Sequence, residues 1–142
     1  MSDPTPNAGF RPGPFRVPRV ALARFQRFQI EAWAAQAYPL AVCGLLLGVQ
    51  EGDNRRVVAA RLAQLGTVDQ RAAEAEARAL GLAVVGTWRS KPDAAPVPEA
   101  TDRERAAPSW SHVLVAVDRH AERELRAWRF EDGHFVEEEV AS

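Results

Sequence analysis

The apolar positions along the chain fall into two rhythms. From Pro18 to Ala37, the residues Val20, Leu22, Phe25, Phe28, Ile30, Trp33 and Ala37 recur mostly three or four apart, the spacing that lines one face of an α-helix. Tyr38-Pro39 ends that helix, since proline cannot extend the backbone ladder. Cys43 to Val49 is a short, continuously apolar run, which predicts a strand covered on both faces. Glu51-Gly52-Asp53-Asn54 reads as a hairpin loop into a valine-bearing strand, Arg55 to Leu62. Val68 to Leu80 is rich in Ala, Glu and Arg, strong helix formers, and Gly81 stands where a helix C-terminal glycine belongs. Leu82 to Trp88 predicts a third strand, followed by a long proline-bearing loop to Thr101 and a helical turn within Asp102 to Ala107. Three strands close the chain: Ser111 to Val117, Leu125 to Phe130 and His134 to Val140, with Asp132-Gly133 as the hairpin signal between the last two.

The order α-β-β-α-β-loop-β-β-β predicts an α/β fold of the α+β kind, a central mixed β-sheet flanked by helices. Its 142 residues make one domain, assigned to 19–142. Residues 1–18 hold Pro4, Pro6, Pro12, Pro14 and Pro18 with two glycines, and are expected to form a disordered leader because such a composition buries little apolar surface.

Charge and cysteine content narrow the function. With 18 basic against 19 acidic residues, no global field points to nucleic acid or an anionic membrane. The longest apolar runs fall short of a membrane span, and a lone cysteine, Cys43, gives neither a disulfide framework nor a zinc cluster. A cytoplasmic protein is expected. Cys43, set among Gly44, Leu45, Leu46 and Leu47, reads as a small buried core residue rather than a nucleophile. His112, His120 and His134 lack partners at metal-ligand spacing and are expected to be solvated. Trp33, Trp88, Trp110 and Trp128 read as core and rim aromatics, and Glu137-Glu138-Glu139 as a solvated edge strand.

Three segments, Tyr38 to Gly48 (YPLAVCGLLLG), Gly81 to Trp88 (GLAVVGTW) and Leu125 to Arg129 (LRAWR), resemble the prokaryotic branch of the JAMM/MPN (Mov34/MPN/PAD-1) family over roughly residues 20–140. The resemblance implies a cytidine-deaminase-like MPN fold. Active members are zinc proteases that cleave after the C-terminus of ubiquitin-like or sulfur-carrier proteins. In them a glutamate acts as base, two histidines and an aspartate hold zinc with one position open for water, and a serine supports the oxyanion. Carried onto this sequence, the glutamate position is Ala41, the histidines are Arg89 and Lys91, the serine is Glu99, and Asp102 alone matches. Ser90, Pro92 and Pro98 keep the framework of the loop. The short link Leu65-Gly66-Thr67-Val68 is where active relatives usually carry a longer substrate-binding stretch.

Arg89 has no lone pair to offer a metal, and Lys91 would have to lose a proton from a group with an ordinary pKa of about 10.4. The expectation is therefore a catalytically inactive JAMM/MPN-like domain without zinc. It would act as a protein-interaction or scaffold module for a ubiquitin-like or sulfur-carrier protein or an active JAMM partner. Within the loop, Arg89 and Lys91 are expected either to pair with Asp102 and Glu99 or to form an anion site for a carboxylate. The alternative is a zinc-dependent isopeptidase that uses other ligands or is activated in a complex.

Overall fold

A computed structural model describes residues 17–104, 106–107 and 110–142; most of the predicted leader, residues 1–16, lies outside them. The elements in chain order are β1 (Arg19–Ala21), α1 (Arg24–Ala37), β2 (Cys43–Glu51), β3 (Asn54–Leu62), α2 (Val68–Ala79), β4 (Ala83–Pro92), α3 (Ala100–Glu104), β5 (Ser111–Val117), β6 (Arg123–Glu131) and β7 (His134–Ala141). The strands form one mixed sheet in the order β1-β3-β2-β4-β5-β6-β7, and β1 pairs parallel with both β3 and β7, closing it into a barrel. The other parallel pair is β4 with β5.

Turn chemistry fixes the hairpins. Asp132 and Gly133 both have positive φ, 52° and 82°, the conformation that matches a two-residue turn to the twist of its strands. Thr67 caps α2 by accepting from the Asp69 N–H at 3.1 Å, which satisfies a donor the helix itself leaves open.

The inner face of the sheet packs on α1. Ile30 and Ala34 of the helix meet Leu46, Val57, Trp88, Val113, Val115 and Ala127. The Trp88 ring stacks on Trp33 at 5.4 Å and its Nε1 donates to the Arg61 carbonyl at 3.0 Å. Gly44, opposite Trp88 in register, leaves room for this: a Cβ there would overlap the Arg61 carbonyl oxygen and the indole. On the outer face, the small side chains of α2 let it approach Leu45, with Ala73 buried among Ala63, Val84 and Trp110.

Three expectations are corrected. Val20 and Leu22 are buried, but Val20 belongs to β1 and Leu22 follows it, so the helix starts at Arg24. A strand here satisfies backbone groups of β3 and β7 that would otherwise stay open. The third strand extends four residues beyond its predicted end, through Pro92, because β5 pairs with it as far as Pro92↔Val117. The third correction concerns β7, which is no edge: Glu139 pairs with Arg19 and Glu137 with Arg126 at the surface, whereas Glu138 is fully buried. Inside the barrel Glu138 Oε2 accepts from Arg129 Nη2 at 2.6 Å and from Ser111 Oγ at 3.0 Å, with Arg55 Nη1 at 3.8 Å.

That carboxylate faces two buried guanidiniums, so Glu138→Gln is expected to lose about 3 to 5 kcal/mol, the cost of stranding buried charge. Denaturant unfolding should show a lower midpoint at unchanged slope. Glu137→Gln, on the surface of the same strand, should change stability far less, and equal losses would contradict the buried role.

Candidate functional site

β4 carries Arg89 and Lys91 to the rim of the barrel, and the segment after it folds back over them. Tyr38 Oη donates to the Asp93 carboxylate at 2.9 Å, the Asp93 N–H donates to the Val117 carbonyl at 2.8 Å, and Trp128 Nε1 donates to the Pro96 carbonyl at 3.0 Å. These anchors deliver Glu99 and α3. Asp102, in the first turn of α3, reaches back to accept the Glu99 N–H at 2.7 Å, half of a capping box.

The four charged groups converge. Lys91 Nζ lies 2.5 Å from Asp102 Oδ2 and 3.4 Å from Glu99 Oε1, while Arg89 Nε lies 3.6 Å from Asp102 Oδ1. The Lys91 and Asp102 side chains are nearly buried, at 8% and 9% exposure, Arg89 is at 22% and Glu99 at 60%. Sequence reasoning paired Arg89 with Asp102 and Lys91 with Glu99; the tighter contact joins Lys91 to Asp102. Side-chain direction explains this: the ammonium, a compact charge on a flexible stem, reaches a carboxylate that turns inward to cap α3.

Ala41 lies just before β2. Its neighbour Val42 is tied to Ser90, donating its N–H to Ser90 Oγ at 2.8 Å and accepting from the Ser90 N–H at 2.8 Å. Ala41 is exposed and lines a depression with Val42, Cys43, Ala63 and Asp69.

Two residues that sequence reasoning assigned no role in the site stand beside it. His112, expected in solvent, is buried, because β5 places it opposite Thr87 and beneath the residues after α3. Its Nε2 donates to the Ala107 carbonyl at 3.2 Å, which makes Nδ1 the acceptor of the Thr87 hydroxyl at 3.0 Å. Burial holds the imidazole below its ordinary pKa, with Arg55 and Arg89 acting in the same direction and the Ala107 carbonyl and Asp102 opposing. Together with Thr87, Arg89, Asp102, Leu114 and Phe135, His112 lines a cavity of about 20 Å³, room for one water-sized molecule. The signal available in the sequence was the strand phase, with His112 and Leu114 alternating against Val113 and Val115. Cys43 also departs from expectation. It is half-buried, its Sγ 3.5 Å from the Ala63 carbonyl, and it lines a groove of about 500 Å³ with Gln64, Leu65, Gly66, Gln70, Arg89 and Trp110. Residues 63–67 cross from β3 to α2 too briefly to cover it.

Two measurements probe this geometry. Asp102→Ala should cost about 3 to 5 kcal/mol and Asp102→Ala with Lys91→Met should recover much of it, since the second change removes the stranded ammonium. A double-mutant cycle by denaturant unfolding should give a larger coupling for Lys91–Asp102 than for Arg89–Asp102. For His112 the unfolded chain binds a proton more readily than the folded one, so stability is intact above the ordinary value of 6.5 and falls as pH drops through it toward the lower folded value. His112→Asn should flatten the stability profile in that window, and an unchanged profile would contradict the burial of a neutral imidazole.

Comparison with known proteins accords with this architecture. The family model for prokaryotic homologs of the JAB domain matches residues 27–131. A solution structure of a protein from Salinibacter ruber is 34% identical, with a TM-score of 0.69 over 85% of this chain and 89% of that one. A solution structure of a protein from Desulfitobacterium hafniense is 25% identical, with a TM-score of 0.72 over 85% and 90%. The crystal structure of a JAB1/MPN domain protein from Archaeoglobus fulgidus, 19% identical, shares the fold at a TM-score of 0.55 over 87% and 99%. No curated protein matches the sequence significantly. Among the described residues, no helix is long and apolar enough to cross a membrane. A match across nearly three-quarters of the chain, on a mixed sheet flanked by helices, places this protein in the family of prokaryotic JAB-domain homologs.

Proposed function

We propose that this chain is a family member without zinc hydrolysis, a cytoplasmic protein-interaction or scaffold module. The observation that carries this is the ion-pair cluster at the positions the family resemblance assigns to the metal. The groups there do not suit zinc. A guanidinium gives no lone pair. The Lys91 ammonium lies 2.5 Å from the one carboxylate a metal would need. A divalent ion would also meet two cations, a repulsion of several kcal/mol at an effective dielectric of about 20. Ala41 offers no proton acceptor where a base would stand.

A zinc peptidase with substitute ligands finds little support in the geometry. Among the described residues, no group of three or more His, Cys, Asp or Glu side chains is placed to hold a metal ion. His112 has both ring nitrogens engaged. Inactive relatives commonly work by pairing, so the partner proposed is a protein: a ubiquitin-like or sulfur-carrier protein, or an active JAMM protease. A net charge of −1 gives no reason to add nucleic acid.

Purified protein dialysed against zinc is expected to retain well below one equivalent by elemental analysis. Arg89→His combined with Lys91→His should take up zinc with Asp102, yet cleave nothing until Ala41→Glu supplies a base. A stoichiometric ion at Asp102 in the unaltered protein would overturn the proposal.

A further inference from the structure

We infer that the first half of α1 is a docking face for an anionic lipid bilayer, with Phe25 and Phe28 entering the headgroup layer and the arginines beside them pairing with lipid phosphates and carboxylates. This goes beyond the proposed function and does not depend on it.

Exposure comes first. Ile30 and Ala34 form the buried face of α1, while Phe25 and Phe28 stand on the other side, 69% and 66% exposed. With Ala32 they make a stripe at i, i+3 and i+7 that carries no charge. The neighbouring Gln26 is engaged elsewhere, its Nε2 donating to the Val58 carbonyl at 2.9 Å. Two phenylalanines held side by side in water forgo the burial that Ile30 enjoys, which marks a surface made to meet something apolar.

Charge names the partner. Arg24 and Arg27 bracket the stripe at the start of α1, whose first turn holds no acid. Arg27 meets Glu31 at 3.4 Å, and Arg19, in β1 just upstream, meets Glu139 at 3.0 Å. Exposed pairs of this kind are worth little in water and exchange readily for a lipid phosphate. The sequence extends the pattern: from Pro4 to Ile30 there is no acidic residue, and each of the four phenylalanines adjoins an arginine, in Phe10-Arg11, Phe15-Arg16, Arg24-Phe25 and Arg27-Phe28. Residues 31–142 hold every acidic group but Asp3, so the rest of the molecule has the opposite sign and the net charge of −1 hides a two-ended distribution. At the far end of α1, about 20 Å away at 1.5 Å per residue, Tyr38 Oη meets Asp93, which lines a cleft with Asp118, Glu122 and Glu124 against Arg123. A negative membrane surface draws one end of such a molecule and repels the other, which turns the first turn of α1 toward the lipid. An apolar stripe flanked by arginines then meets the layers of a bilayer in order, acyl boundary at the centre and headgroups around it. A single strand of nucleic acid is held in a basic groove with its bases stacked along it, whereas these rings stand on the outer side of a helix.

The test is co-sedimentation of the full chain with vesicles of equimolar phosphatidylserine and phosphatidylcholine, beside vesicles of phosphatidylcholine alone. Binding is expected to the anionic vesicles only, and to fall as salt rises. Phe25→Ser with Phe28→Ser should weaken it by about tenfold or more. Arg24→Gln with Arg27→Gln should weaken it by about 10- to 30-fold, the range for two cations near an anionic surface. All four side chains are exposed, so the denaturant midpoint should stay near that of the unaltered protein, and a loss of binding is then not a loss of fold. Arg71→Gln with Arg78→Gln, which removes the same charge from the exposed side of α2, should bind almost as the unaltered chain does. Glycerophosphoserine, the headgroup without its bilayer, should not displace the protein. Binding to neither vesicle, equal binding to both, retained binding in either α1 variant, equal loss in the α2 variant, or displacement by the free headgroup would overturn the inference. So would self-association or binding of a single-stranded oligonucleotide that disappears in the phenylalanine variant while vesicles are left unbound, since the face would then belong to another partner.

Discussion

A carboxylate taken out of water holds its place only if its charge and its lone pairs are both answered, and Asp102 sets the form of this site because it meets that demand from three directions. Lys91 supplies the opposite charge, the Glu99 N–H supplies a donor, and the Arg89 guanidinium stands a little farther off. The same contacts fasten α3 to β4, and the segment between them covers the cavity that holds His112. Charge and chain path are thus coupled: weakening the pairing would loosen the loop, and loosening the loop would expose the imidazole.

A second buried charge group, around Glu138, obeys the same rule inside the barrel, where one carboxylate faces Arg55 and Arg129 and a serine hydroxyl adds a donor. His112 feels both clusters: burial lowers its proton affinity, and Arg55 of one cluster and Arg89 of the other act in the same direction. The imidazole accepts from the Thr87 hydroxyl through Nδ1 while its Nε2 donates to the Ala107 carbonyl. A shared fold does not by itself dictate what a site does. Here four charged side chains at one rim of the sheet give the site its character.

Much of the fold was legible because local chemistry and tertiary packing agree. The apolar run after Tyr38-Pro39, the Asp132-Gly133 turn and the Gly81 helix stop all signal through neighbours a few residues apart, and each lies where its pattern placed it. What failed was long-range. Val20 has a helical neighbour pattern, and only its pairing with Val140 and Arg55 makes it a strand. Arg89 to Pro92 looked like a loop for want of apolar residues, yet pairing with β5 keeps it extended. Glu138 was hidden in a run of three glutamates, although Leu125, Ala127 and Arg129 had set an inward phase on β6 that its partner strand follows. In the site itself, the meeting of Arg89, Lys91, Glu99 and Asp102 could be read from the resemblance, whereas the division of partners among them depended on the reach and burial of each side chain.

The three residues of β1 have a consequence out of proportion to their number. Val20 pairs with Arg55 on one side and Val140 on the other, and the flanking bonds from Leu22 to Ala141 and from Glu139 to Pro18 extend the seam. Losing this segment to a protease would open the barrel at its seam and leave the facing borders of β3 and β7 without their shared partner. Such borders invite strand exchange between copies and ordered aggregation. The few residues around Val20 thus serve as a stopper that keeps each molecule from becoming a template for the next.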